Sequence, residues 1–358
     1  MADLLAQRTI TWQDATTETV VIGDDYFFTL DGIKKKLIGL DFTLYCPTVA
    51  EAHQWCWHEA TNMTYFETQL AYLQSMGIRL IRPQVFDTWP DYLEVGSATE
   101  EAAYVALYDL FEKYKMLVIP SFFYSWKSIW DAQFNAQMIN GGGAVGYLIW
   151  AFGVVQELLS TFIERVMGYL SDQNYNNIVA INCENELDNY KDVGDSYHED
   201  DVAVYMTWLI ALAHTYFPGV PTTHNLSLNG IPGDAWYPAP SHPAIKAVIR
   251  GMVDIPAYDM YRNTPALMKA DFDTYFPQYG VTNWWGQEIG YEANNNQNLI
   301  TVQHLDQAFK SGATVAMFFR NIDITGNLSF FNTDGTPKDN LKLIAAYRQS
   351  LEKIGNLI

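Results

Sequence analysis

Cysteine is scarce in this chain: 358 residues hold three, Cys46, Cys56 and Cys183, too few for a disulfide framework. Free buried thiols are the expectation, with a Cys46–Cys56 bridge inside one loop as the alternative. Basic residues are also few, 21 against 41 acidic ones, for a formal net charge of −20. A surface this negative repels phosphate backbones, which argues against a nucleic-acid partner and suits a neutral substrate. Charge is absent from Ala132 through Gln156, but a glycine triplet and polar residues interrupt that span, and its apolar part falls short of the roughly 20 residues needed to cross a bilayer. It reads as a loop running into a buried helix, not as a membrane segment. The opening residues, MADLLAQRTITWQDA, show no basic segment followed by a long apolar run, so no signal peptide is visible. Gly-x-Ser-x-Gly elbows, phosphate-binding glycine loops and dinucleotide fingerprints are missing as well, which removes serine hydrolases and nucleotide enzymes. With no internal repeat, low-complexity tract or Pro/Ser-rich linker, residues 1–358 are expected to form one domain.

What is present is a large apolar complement, 49% of residues, and an unusual number of aromatics, including eleven Trp and twenty-three Tyr. Such side chains serve a large core or a cleft in which apolar sugar faces stack on π systems. Runs of β-forming residues alternate with segments of helical period, the pattern of parallel strands joined by helical crossovers. Eight strands are expected: Leu37–Thr43, Ile78–Val85, Met116–Phe122, Ile178–Cys183, Thr222–Leu226, Val253–Tyr258, Asn283–Gln287 and Thr314–Arg320. Between them apolar residues recur at spacings of three and four, as in Phe66, Leu70, Leu73 and in Val155, Leu158, Leu159, Phe162, Val166. A capping box, Ser97-Ala-Thr-Glu100, opens the second helix. The fold class is therefore α/β, a single (β/α)8 barrel. Within residues 1–36, YFFTLDG and the run that follows predict a hairpin on an Asp-Gly turn, closing the N-terminal mouth of the barrel.

In such barrels the reactive groups sit at the C-terminal ends of the strands. Glu186, in INCENELDNY, follows the fourth strand, and Glu288, in NWWGQEIGYEA, follows the seventh, so both are expected in one mouth. Two carboxyl groups facing each other are what cleavage of a glycosidic bond requires, one to donate a proton and one to attack or to activate water. Such chemistry calls for no cofactor. A metal site drawn from His53, Cys56, His58 and Glu59 matches none of the regular zinc spacings, and none is expected.

These residues carry a resemblance. The chain resembles the clan A retaining glycoside hydrolases, the barrel superfamily that includes family five cellulases and mannanases and several β-galactosidase families. The resemblance implies a proton donor preceded by asparagine, matched by Asn185-Glu186, and a nucleophile ending strand seven, matched by Glu288. It implies for Arg82 a place beneath the nucleophile, where a fixed cation would depress the pKa of Glu288 and keep it ionised. Tyr261 falls where the clan often has His-x-Tyr, with Asp259 at the histidine position, and its hydroxyl would meet Glu288. Other departures are the third strand ending SFFYSW, with Trp126 as a nearby platform, and the eighth ending without the expected tryptophan, where Phe319 and Arg320 substitute. Asn225 and Trp285 complete the set of supporting residues. CENELDNY is similar to the Glu-Asn-Glu of clan β-galactosidases, which gives Glu184 a sugar hydroxyl to touch or, as the second choice, the proton-donor role.

Glu186 as acid/base and Glu288 as nucleophile imply carboxyls about 5–5.5 Å apart and retention of configuration. The expected substrate is an oligo- or polysaccharide, with endo action on β-1,4-linked glucan or mannan ahead of an exo-acting β-galactosidase- or β-mannosidase-like enzyme. A barrel that binds carbohydrate without catalysis is the rival from another class.

Overall fold

The computed structural model describes residues 4–42, 60–83, 98–122, 164–185, 199–227, 251–279, 281–290, 302–321, 329–332 and 334–353. Two sheets organise them. The first is antiparallel, built from β1 (Leu4–Thr11), β2 (Thr17–Gly23), β3 (Phe28–Leu30) and β4 (Ile33–Lys35) in sequential order. Asp31 and Gly32 turn β3 into β4 with φ of 47° and 81°, the left-handed pair that a two-residue hairpin requires. The expected hairpin is thus present, but it is half of a four-stranded sheet. The other half, β1 with β2, has alternating burial, Ala6, Ile10, Val20 and Ile22 facing inward, and was not anticipated from the sequence.

The second sheet is parallel and runs β7-β6-β5-β13-β12-β11-β10-β9-β8. Its members are β5 (Leu37–Phe42), β6 (Leu80–Pro83), β7 (Leu117–Val118), β8 (Ser121–Phe122), β9 (Ile181–Asn185), β10 (Thr222–Ser227), β11 (Ile255–Tyr261), β12 (Trp284–Gly290) and β13 (Ala313–Phe318). Its two ends, β7 and β8, are halves of one strand interrupted at Ile119-Pro120. Proline has no N–H to give the ladder, so the strand breaks there. The lower half pairs with β6 and the upper half with β9, which closes the ring as an eight-stranded (β/α)8 barrel. Each expected strand is found, with ends shifted by up to three residues.

Alternation along these strands divides the core in two. Ile38, Leu40, Phe42, Ile81, Cys183, Tyr258, Met260, Trp284 and Ile289 point outward and pack with helical residues such as Phe66, Leu70, Leu73, Phe272 and Phe276. Leu80, Leu117, Ile255, Ala257, Trp285, Val315 and Met317 point inward near the strand starts and pack on Ile10, Trp12, Ile22 and Phe28 of the antiparallel sheet. That sheet is the floor of the barrel. Arg79 fastens it, donating to Glu18 at 2.9 and 2.6 Å and to the Lys115 carbonyl at 2.8 Å, with Trp12 beneath its guanidinium.

Trp285, expected among the residues that bind substrate or support the site, belongs to this floor. It is fully buried, stacks on Phe28 with centroids 5.3 Å apart, and donates Nε1–H to the Tyr26 carbonyl at 2.9 Å. An inward-facing residue at the second position of a strand lies at the strand's beginning, far along the barrel from its C-terminal rim.

Candidate active site

Above the apolar floor the barrel interior turns polar. Inward positions that follow Leu37-Gly39, Leu80 and Ile255-Ala257 in the two-residue period are Asp41, Arg82, Asp259 and Tyr261. Glu288 would face outward by simple alternation from Trp285. A bulge changes that: Gly286 pairs with Tyr258 and Glu288 pairs with Asp259, so β12 has one residue more than β11 between those points. Both Gln287 and Glu288 therefore face inward, and Gln287 donates to Thr223 Oγ1 at 3.2 Å.

Glu288 is 5% exposed and both of its oxygens are held. Oε1 accepts from Arg82 Nη2, and Oε2 accepts from the Tyr261 hydroxyl at 2.6 Å. Arg82 is fully buried and also donates Nε and Nη2 to the two oxygens of Asp41, each at 3.1 Å. Burial alone would lower the pKa of Arg82, but Asp41, Glu288 and Asp259 together push it up, so the guanidinium is permanently charged. For Glu288 the balance runs opposite to the sequence-based expectation. Burial raises its pKa above the usual carboxylate range, Arg82 and the Tyr261 hydroxyl pull it down, and Asp41 adds a second upward push. Arg82 does favour the ionised form, yet its charge is divided among several carboxylates.

A hydrogen-bonded chain lines the neighbouring strands. Asn182 Nδ2 is within 2.7 Å of Ser121 Oγ and 3.0 Å of Asn225 Oδ1, and Asn225 Nδ2 donates to Asp259. Asn225 thus ties β9 to β11 and meets Asp259, not open solvent. Glu184 is fully buried at a bulge in β9, with φ of 73°, where two residues of that strand oppose His224. His224 Nδ1–H donates to the Cys183 carbonyl at 2.8 Å, and burial lowers its pKa to about 4, so the ring is neutral at pH 7. Asn185 closes β9 opposite Asn225, which makes Glu186 the first residue after the strand. Glu186 and Trp126 lie outside the described residues, as do Cys46, Cys56 and the His53–Glu59 segment; the expected separation of Glu186 and Glu288 falls there too.

At the end of β13, Phe319 meets Tyr261 edge-on at 6.2 Å, and the Arg320 guanidinium lies 4.9 Å from the Phe319 ring. Both are half-buried and follow the strand on the side of Glu288. Among the described residues no group of three or more His, Cys, Asp or Glu is placed to hold a metal, and no helix is long and apolar enough to cross a membrane.

Asp41, Asn182, Ser121 and Gln287 were missed from the sequence. The signal existed for Asp41: an acid inside the apolar strand LIGLDF needs a buried partner. The arrangement can hold one carboxylate, Glu288, in fixed orientation at the end of a strand, with a cation on one oxygen and a hydroxyl on the other.

No family model matches the sequence, and no curated protein does. Solved structures do match. The exo-β-1,4-mannosidase from Opitutaceae bacterium strain TAV5 superposes with a TM-score of 0.62 at 14% identity, over 89% of this chain and 60% of that one. A β-galactosidase from Halorubrum lacusprofundi gives 0.62 at 13%, over 88% and 58%. The endo-1,4-β-mannanase from Rhizomucor miehei gives 0.66 at 10%, over 91% and 98%. The chain spans about three fifths of the first two proteins and nearly the whole of the third. At these identities the likeness establishes the fold: this chain shares its (β/α)8 barrel with enzymes of those names.

Proposed function

We propose that this chain is a retaining β-glycoside hydrolase, with Glu288 as nucleophile and Glu186 as acid/base. The observation that carries the reading is Glu288 itself, brought inward by a bulge at the end of the seventh barrel strand, with Arg82 on one oxygen and Tyr261 on the other. A carboxylate so held keeps a lone pair aimed at one point and gains an ester bond without losing its orientation. In the first step Glu186 protonates the glycosidic oxygen while Glu288 attacks the anomeric carbon, and the aglycone leaves with that proton. In the second, Glu186 removes a proton from water, which displaces Glu288 from the anomeric carbon and restores both carboxyl groups. Two inversions give net retention.

The substrate class we infer is a β-1,4-linked mannan or glucan. Endo-mannanase and exo-mannosidase names occur among the proteins of the same fold, and the half-buried rings of Tyr261 and Phe319 stand beside Glu288. The test is a panel of aryl β-glycosides and soluble β-mannans and β-glucans, with the product anomer read by proton NMR. Turnover with retention, falling on the order of 10⁴-fold in Glu288→Gln, is expected. No Glu288-dependent release from any member would end the proposal.

A further inference from the structure

Asp41 takes more of Arg82 than Glu288 does. Its two oxygens accept Nε and Nη2, the side-on edge of the guanidinium, and Glu288 shares only Nη2. The Asp41 and Arg82 side chains are wholly buried, and Arg82 Nη1 has no hydrogen-bond partner among the described residues. The register explains the contact: Asp41 pairs with Arg82 across β5 and β6, both inward, at the height where β12 brings in Glu288. Just beyond, the Asn321 N–H donates to the Asp41 carbonyl at 2.9 Å, so β5 is fixed where the chain leaves β13. Two residues earlier on the same strand, Gly39 lies close against β6, where even a Cβ would come within 2.8 Å of the Leu80 carbonyl oxygen.

We propose that Asp41 is a positioning residue for Glu288: by clamping Arg82 through both carboxylate oxygens, it holds the guanidinium against the barrel wall and withholds part of its charge from Glu288. Without the clamp the guanidinium would turn its fork to Glu288 as a bidentate pair, the preferred geometry of an Arg with one free carboxylate. A nucleophile so tightly paired would be ionised more readily but would be a poorer attacking group. Asp41 thus sets a balance between charge and reactivity from a strand that contributes no group to the reaction. Among the described residues, the charged and titratable groups that line the barrel with Glu288 are Asp41 on β5, Arg82 on β6, Glu184 on β9, His224 on β10, Asp259 and Tyr261 on β11, and Arg320 after β13. Asp41 adds to the upward push on the Glu288 pKa, which agrees with the geometry.

The inference rests on Glu288 being the nucleophile only for its catalytic consequence, so its test is made on the free protein. Glutamate labelled with ¹³C at the carboxyl gives a Glu288 signal identified by its loss in Glu288→Gln, and its titration is compared in wild type, Asp41→Asn and Asp41→Glu. The midpoint is expected to move to lower pH in Asp41→Asn and to stay near the wild-type value in Asp41→Glu. An unmoved or raised midpoint in Asp41→Asn overturns the proposal, since a purely structural aspartate would leave it in place. If Asp41→Asn does not accumulate folded, Asp41→Ser asks the same question. Failure of both neutral variants to fold while Asp41→Glu folds also counts against the proposal, because the charge would then serve folding. Where the wild type turns over substrate, the acid limb of kcat/KM follows the same direction. Absence of turnover sinks the hydrolase reading and leaves the titration result standing.

Discussion

Replacing Arg82 by Met keeps the length of the side chain and removes the charge that Asp41, Glu288 and Asp259 share. A pair of unit charges about 4 Å apart is worth about 4 kcal/mol at an effective dielectric of about 20, and here two carboxylates bind one guanidinium. Much of that attraction only offsets the desolvation of three buried ions, so the cluster as a whole adds little stability. Removing the cation alone is different, because the carboxylates stay behind without it. The expected loss is about 3–5 kcal/mol at pH 7, measured by urea unfolding followed by circular dichroism. It should shrink toward pH 5, where the abandoned carboxyls take up protons and their repulsion disappears. Arg82→Met combined with Asp41→Leu should lose less than the sum of the two single changes, by about 2 kcal/mol, because the pair leaves together. A single-variant cost below about 1 kcal/mol, or one independent of pH, would refute the view that these charges depend on one another.

Three further outcomes are expected. Tyr261→Phe removes the donor to Glu288 Oε2 and should lower kcat/KM about 10- to 100-fold; since that hydroxyl pulls the Glu288 pKa down, the acid limb should move to higher pH, opposite to Asp41→Asn. His224 has a native pKa of about 4 against 6.5 unperturbed, so the unfolded chain binds a proton that the native state refuses; stability should fall by about 3 kcal/mol as pH drops from about 6.5 to about 4, a loss absent from His224→Gln. Trp285→Leu should destabilise the fold by about 3 kcal/mol through the loss of its stacking on Phe28, with KM unchanged; a KM raised severalfold at unchanged stability would return Trp285 to the substrate.

The barrel was legible because its signals are redundant. Eight β-rich runs, each followed by a helical period, leave few alternatives, and an error of two or three residues at a strand end does not alter the order. Glu288 was legible for the same reason, as the acid at the end of the seventh run. Depth within the barrel was not legible. Trp284 and Trp285 are both wholly buried, one among the outer helices and one on the floor, and a strand covered on both faces shows no alternation of polarity to tell them apart. The bulge at Gln287 was equally hidden, since its register appears only when β11 lies beside β12. Asp41 lies inside the expected strand Leu37–Thr43, but its partner shows only when Arg82 is placed across from it. The opening strands β1 and β2 bury one face only, through Ala6, Ile10, Val20 and Ile22, so they lack the continuous apolar runs that mark the barrel strands.

The central claim is that Glu288 forms the covalent bond to sugar. The most direct measurement is mass spectrometry of peptides after incubation with activated 2-deoxy-2-fluoro-β-glycosides of gluco and manno configuration, which slow the second step and trap the first product. A sugar adduct on the peptide that contains Glu288, absent in Glu288→Gln, is the predicted result. An adduct on another carboxylate, or turnover with inversion and no adduct, would contradict it.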